Sequence, residues 1–293
     1  MKPLATNKNI YIILKVANIF YKGVLVKRVA NVAGSFYPNS CPDVKDMINH
    51  FNQILNKVLK SKDILNISPR AIIVPHAGYI YSGFTANVAY VAAKNSNAKR
   101  VIVIGPSHRV YLDGISGSFY DSYETPCGDL IIDKEYLSHL ASIFDIKFIN
   151  EAHFEHSTEV QMPFIKHYFN DIKVIEFVYG DIDPVYLSKM CEAILSNKDN
   201  LIVISTDLSH YYSLVEAQKR DILCIKAVDL LDEKILHQGC EACGKIGVEA
   251  IILAAKSLKL KPIVLDYRTS ADASGEESSV VGYMSAAFIE QIA

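Results

Sequence analysis

Three segments of this chain end an apolar run in residues that can hold a proton or a metal: RAIIVPHAG delivers His76, RVIVIGPSH delivers His108, and LIVISTDLSH delivers Asp207 and His210. Each run is short, β-branched and bounded by Pro, Gly, Ser or Asp, so each reads as a buried strand with its polar residues just past the carboxyl end. In a parallel sheet those ends share one edge, where open α/β folds bind their ligands. A lone histidine after a strand is more often a hydrogen-bonded loop residue, but three segments of the same design point to a shared crevice. Imidazole ligates transition metals and exchanges protons near neutral pH, so metal binding and acid/base work are the two uses that crevice offers.

Other polar segments surround these three. PHAGYIYSG supplies glycines for a close backbone approach and tyrosines to line a wall; Gly105, Pro106 and Ser107 serve the second strand in the same way. HFEHSTEVQMPF carries His153, His156 and Glu159 ahead of a helical run. Here Thr158 and Gln161 suggest a capping box, His156 is within reach of the crevice, His153 is expected in solvent, and Glu159 is expected to favour the positive end of the helix. CEACGKIG precedes the apolar helix GVEAIILAAK, and its C-x-x-C pair allows half of a zinc knuckle, a redox dithiol, or one thiolate ligand with a bystander. No second C-x-x-C completes a knuckle, and the pair comes late for a thioredoxin-type dithiol. The imidazoles favour the one-ligand reading, with Cys243 near a helix start whose positive dipole end would help form a thiolate.

The elements that must position these residues follow from periodicity. Ala71 to Val74, Val101 to Ile104, Lys173 to Val178 and Leu201 to Ile204 read as strands. Gly83 to Ala93, Glu135 to Ile143, Val185 to Leu195 and Leu214 to Leu231 read as helices between them. Ile263 to Tyr267 and Val280 to Ile289 read as two strands with no helix between, an antiparallel pair at one edge. The fold class is therefore α/β, a mixed, mainly parallel sheet with helices on both faces.

Composition sets the remaining bounds. Of 293 residues, half are hydrophobic and 21% charged, which supplies a large core and argues against disorder. A net charge of -2 with no long basic run excludes nucleic acid as a main partner. Lys15 and Lys22 interrupt the apolar stretches near the amino terminus, so neither a signal peptide nor a membrane anchor is expected, and the cytoplasm is the default location. Six irregularly spaced cysteines in a chain of this size are expected to be mostly buried thiols rather than disulfide staples.

The ordered set VAGSFYP, PHAGYIYSG, GPSH, EHSTE, STDLSHY and CGKIG resembles the Memo family from about Arg28 onward. The resemblance implies a single domain over 28–293, preceded by an extension, 1–27, that has no counterpart. It implies a fold like the class III extradiol ring-cleaving dioxygenases and a metal held by His76, His108 and Cys243. It also implies that Asp207 and His210 complete the pocket as catalytic groups, with Tyr81 and Phe36 near its mouth. His156 joins these two as a substrate contact. Cys240 is extra to the pattern and leaves open a local bond to Cys243, while Gln161 stands where some relatives carry histidine.

Two imidazoles and a thiolate suit iron(II), copper or zinc, and the resemblance favours the first two. The leading expectation is a metal-dependent oxidoreductase acting on a small molecule. The alternative is a binding module that captures a ligand or peptide in the same pocket around a structural metal. A third expectation, from the family's microbial members, is partnership with a radical S-adenosylmethionine protein and a companion domain.

Overall fold

Isoleucine and valine alternate sides along the central strands, and this alternation divides the core in two. In a computed structural model, which describes residues 26–59 and 66–291, Ile73, Ile102, Ile104, Ile202 and Ile204 pack into one apolar layer, while Ile72, Val74, Val101, Val103 and Val203 pack into the other. Strand residues buried on both faces are the mark of a sheet covered by helices on both sides.

In chain order the elements are β1 (Lys27–Arg28), α1 (Cys41–Val58), β2 (Pro69–Val74), α2 (Tyr79–Ala93), β3 (Arg100–Pro106), β4 (Ile115–Gly117), β5 (Ser122–Tyr123) and β6 (Leu130–Ile132). There follow α3 (Lys134–Ala141), β7 (Ile146–Lys147), α4 (His156–Glu159), α5 (Met162–Tyr168), β8 (Lys173–Tyr179), α6 (Pro184–Leu195), β9 (Asn200–Ser205) and β10 (His210–Tyr212). Last come α7 (Leu214–Asp229), α8 (Lys245–Ser257), β11 (Leu260–Thr269), α9 (Ala271–Ser274) and β12 (Val280–Glu290). Short 3-10 turns, Asn150–His153 and Glu233–Gln238, precede α4 and α8.

The strands form one mixed sheet, β1-β5-β6-β8-β3-β9-β2-β12-β10, whose centre from β6 to β2 is parallel. β11 and β12 pair antiparallel, as the sequence suggests, and β12 also pairs antiparallel with β2 and β10. The connection between β11 and β12 is not free of helix: α9 adds a single turn there. The helix α1, which periodicity left unassigned, is capped by Ser40, whose side chain accepts the Asp43 N–H, and it buries Val44, Ile48, Phe51 and Leu55 at helical spacing. None of the helices among the described residues is long and apolar enough to cross a membrane.

The expected boundary at 27 falls at the edge of what is described. Residues 1–25 of the extension lie outside the described residues, while Lys27 already pairs with Ser122 in β1.

The cysteines depart from expectation. Cys41 bonds to Cys127 and Cys224 to Cys240, leaving Cys191 and Cys243 free, so most are not thiols and Cys240 does not pair with Cys243. Spacing along the chain could not reveal this, because the partners lie 86 and 16 residues apart and meet only through the tertiary fold. Disulfides of this kind persist in oxidising compartments and inside hyperthermophiles. Replacing both Cys41 and Cys127 by serine removes the larger closed loop and is expected to lower stability by about 2–4 kcal/mol in denaturant unfolding. An unchanged midpoint would show that the bond constrains nothing.

Candidate metal centre

Strand β9 lies between β2 and β3, so the carboxyl ends of those two strands stand two strand spacings apart, roughly 10 Å. Imidazoles projecting from both ends can therefore converge above β9. His76 follows β2 and His108 follows β3, and their ring centroids come within 5.2 Å. Asp207 follows β9 between them and ties the loops together: its Oδ1 accepts the His76 N–H at 2.7 Å, and its own N–H points at Cys243 Sγ at 3.3 Å. The Cys243 N–H returns to the Asp207 carbonyl at 3.2 Å.

Cys243 reaches this point because Gly244 allows its loop to lie against the end of β9. A Cβ at Gly244 would stand 2.7 Å from Thr206 Cβ and 2.9 Å from the Ser205 carbonyl oxygen, closer than real Cβ contacts. Gly244→Ala is thus expected to push Cys243 out of place, costing about 1–3 kcal/mol of stability and most of the metal affinity. A metal titration that matched the wild type would remove Gly244 from this role.

Cys243 Sγ lies 3.3 Å from His76 Nε2, and one donor atom from each of His76, His108 and Cys243 lies within 4.8 Å of the others. An ion about 2.3 Å from sulfur and 2.0–2.1 Å from nitrogen would hold those two donors about 3.1 Å apart at a right angle and 3.5 Å apart at the tetrahedral angle. The observed separation falls between these, so the residues fit a transition metal without rearrangement of the pair.

The tautomers fit as well. Ser205 Oγ donates to the Ser157 carbonyl and accepts from Gln161 Nε2 at 3.0 Å, so it meets His76 Nδ1, also at 3.0 Å, as an acceptor. His76 then carries its proton on Nδ1 and presents a lone pair on Nε2 toward the sulfur. Gln161 is itself fixed, donating to the Pro75 carbonyl at 2.9 Å and accepting from the Tyr90 hydroxyl at 3.1 Å. The glutamine thus orients a ligand through Ser205.

Glu155 does the same for the other imidazoles. It caps α4, accepting the backbone N–H groups of His156 at 2.9 Å and Ser157 at 3.1 Å, and it also accepts the His108 N–H at 2.6 Å. Its Oε1 lies 3.1 Å from His108 Nδ1 and 2.8 Å from His156 Nδ1. A carboxylate can only accept, so both imidazoles are protonated on Nδ1 and leave Nε2 for an ion or a substrate. Burial pushes the Glu155 carboxyl up, but the donors on His108 and His156 outweigh it and hold the group far below the ordinary carboxylate range. Burial, with His108 and His156 alongside, keeps His76 well below the ordinary histidine value, so it is the neutral form that a metal needs.

The thiol behaves differently from expectation. Burial, followed by the Asp207 carboxylate, pushes the Cys243 thiol up to about 12. Hydrogen bonds to the sulfur from Asp207, Thr206 and Gly244, the last of these the N-cap of α8, oppose that shift without overcoming it. A bound cation would favour the thiolate against that shift. Asp207 is likewise raised by burial, with the His76 N–H and the nearby His210 opposing the shift.

The remaining sequence-chosen residues divide. The Phe36 ring packs 4.9 Å from that of His156, and the His156 ring lies 4.8 Å from His108 and 5.5 Å from His76, so these gather around the centre. Tyr81 lies in the first turn of α2 and is 44% exposed. His210 is half-buried on β10, and among the described residues its ring contact is with Tyr211 rather than with a ligand.

Three expectations for the HFEHSTEVQ segment are corrected. His153 is buried, not in solvent: its ring bridges Glu176 at 3.0 Å and Ser116 at 2.9 Å. Glu159 does not serve the helix dipole; it is buried in an ion pair with Arg28, and accepts the Val32 N–H and the Tyr37 hydroxyl, each at 2.8 Å. Thr158 and Gln161 form no capping box, since Glu155 is the cap and Thr158 hydrogen-bonds Glu176. Glu155, Ser205 and Gln161 were missed as site residues. The signal for Glu155 was an acid directly before a helix start and beside a histidine; Gln161 was marked only by the family pattern, where some relatives carry histidine, and Ser205 gave none.

Comparison with known proteins adds a family. The model described as Memo-like protein matches residues 28–287. A MEMO1 family protein of Metallosphaera sedula is 32% identical over 280 residues, which cover 90% of this chain and 99% of that protein. MEMO1 family proteins of Methanococcus maripaludis strain C5 and Aquifex aeolicus are 35% and 33% identical, over 89% and 88% of this chain and 99% and 97% of those proteins. A solved structure, the uncharacterized protein JW3007 of Escherichia coli K12, superposes with a TM-score of 0.50 at 13% identity over 75% of this chain and 99% of that one, a likeness of fold alone.

Proposed function

The chain belongs to the Memo-like protein family, and from that premise we propose that His76, His108 and Cys243 bind one transition metal ion, iron(II) or copper in preference to zinc, for redox chemistry on a small molecule. The observation that carries the reading is the 3.3 Å approach of Cys243 Sγ to His76 Nε2 while both ligand imidazoles have Nδ1 committed elsewhere. Structural zinc sites use four protein ligands, whereas three leave a position for substrate, and the half-exposed His108 keeps that side open. The ion supplies Lewis acidity and one-electron exchange.

The chain's own residues do the rest. Ser205 and Glu155 keep the ring lone pairs aimed at the centre, and Asp207 fixes the His76 backbone. His210, close enough to Asp207 to influence its charge, gives or takes a proton from substrate. Tyr81, His156 and Phe36 orient the substrate at the mouth. A thiolate in place of a carboxylate softens the centre and sets an oxidisable atom in it, so ring cleavage is not assigned.

Elemental analysis of protein purified without oxygen is expected to find about one iron or copper ion per chain, and almost none in Cys243→Ala or His76→Ala. Oxygen uptake should accompany the loaded wild type when an electron donor such as ascorbate is supplied. Zinc alone, resistant to exchange and silent toward oxygen, would overturn the redox reading in favour of a binding pocket built around a structural metal.

A further inference from the structure

Helix α7 grips two of the loops that build the metal centre, and one grip is covalent. Asp221, fully buried on this helix, accepts the Ser209 N–H at 2.9 Å, in the loop that runs from Asp207 to His210. Arg220 and Cys224, one turn apart on the same helix, hold the loop that carries Cys243: Arg220 pairs with Glu241, and Cys224 is bonded to Cys240.

The two holds on the ligand loop differ in strength. Arg220 is 29% exposed and Glu241 40%, and an ion pair open to water to that extent contributes little. The disulfide lies in the apolar layer, where Cys224 and Cys240 are both buried. It fixes the backbone with only Glu241 and Ala242 between it and the ligand, while on the far side the Gly244 N–H donates to Thr206 Oγ1 at 2.9 Å. Ahead of Cys240 the chain has less to hold it. It arrives from the six-residue 3-10 turn Glu233–Gln238, in which only Leu236 is buried, and bends at Gly239 with φ 132°. Hydrogen bonds of a 3-10 turn have poorer geometry than those of an α-helix, so this approach opens locally once the covalent tie is cut.

We propose that the Cys224–Cys240 disulfide is a positioning element for Cys243, and that its reduction by a dithiol lowers the affinity of the centre for its ion. In that exchange the dithiol gives up two electrons and two protons and closes into a cyclic disulfide, while Cys224 and Cys240 each take one electron and one proton to become thiols. Both sulfurs are buried, so the dithiol reaches them through opening of the Glu233–Gln238 turn. With the bond open, only a fraction of the molecules holds Cys243 in reach of His76 and His108, and the apparent affinity falls by that fraction. The statement about affinity rests on the metal reading given above; the statement about the placing of Cys243 does not.

Cobalt(II), whose bond to a thiolate gives a charge-transfer absorption, is the probe, titrated against a competing chelator into the full chain freed of metal. The double variant Cys224→Ser with Cys240→Ser is expected to bind cobalt(II) at least about tenfold more weakly than the wild type. Cys41→Ser with Cys127→Ser opens the other disulfide, between α1 and the β5–β6 connection, and should leave that affinity at the wild-type value. In the metal-free proteins iodoacetamide should label Cys243, located by peptide mapping, faster in the first variant than in the wild type, while the amides of β3 and β9 keep their protection. Wild-type protein reduced by a dithiol and then freed of it gives the same labelling comparison without a substitution. Unchanged labelling with unchanged cobalt(II) affinity, or an affinity loss just as large in the Cys41 and Cys127 variant, would overturn the proposal. Wild-type protein that binds no cobalt(II), with Cys243 labelling still faster once the bond is open, would sink the metal reading and leave the positioning role standing.

Discussion

Glu155→Ala is expected to weaken metal binding about 10–100-fold while leaving all three ligands in the chain. The carboxylate is buried, and among the described residues it is the acceptor of the Nδ1 protons of His108 and His156. Without it the His108 ring can rotate or change tautomer, and the lone pair that should face the ion is then elsewhere part of the time. The backbone N–H groups of His108, His156 and Ser157 also lose their acceptor, which adds a cost of about 2–4 kcal/mol to folding. Glu155→Gln keeps the volume but turns an amide toward donors that need an acceptor, so it should recover the fold better than the affinity. Competition with a chelator of known strength measures the first effect and denaturant titration the second. Wild-type affinity in both variants would mean that the imidazoles need no such support.

Arg28→Met is expected to cost about 3–5 kcal/mol, because it strands the Glu159 carboxylate in the core without its counter-charge. Arg28 is 2% exposed and Glu159 is fully buried, and the guanidinium also lies 4.6 Å over the Tyr123 ring. The same carboxylate accepts the N–H groups of Asn31 and Val32 and the Tyr37 hydroxyl, so it anchors the VAGSFYP turn that carries Phe36 to His156. Loss of order there should appear as faster amide exchange from Ala30 to Tyr37, with the β3 amides unaffected. Replacing Arg28 and Glu159 together by apolar residues should restore part of the stability, since the cost lies in the orphaned charge. A double variant no better than the single would refute this account.

Much of the scaffold was legible because buried parallel strands announce themselves: β2, β3, β8 and β9 match the apolar runs to within about two residues at each end. Position after a strand likewise isolated His76, His108 and Asp207. Cys243 needed the family pattern, because C-x-x-C alone allowed three chemistries, and only the tertiary bond between Cys224 and Cys240 removes the partner that a dithiol would require. His153 was misread for lack of its partner. The clue was Glu176, a charge in the middle of the apolar strand β8, which burial demands be paired. Neither Ser205 nor Gln161 carries such a mark in its residue type, and the family pattern flags Gln161 only as a replaced histidine; a serine ending a strand and a glutamine between two short helices acquire their role only when Ser157, Pro75 and Tyr90 arrive from elsewhere.

The long final strand has a consequence for how the molecule comes to exist. β12 closes the open side of β2 and, through Gly282, exchanges backbone hydrogen bonds with Leu208 and Ser209, the residues just after Asp207. A nascent polypeptide that has not yet released β12 from the ribosome holds β2 with one bare hydrogen-bonding edge and the turn after Asp207 without its two bonds to Gly282. Metal capture should therefore wait until β12 has emerged, and ribosome-stalled chains lacking β12 should aggregate rather than load.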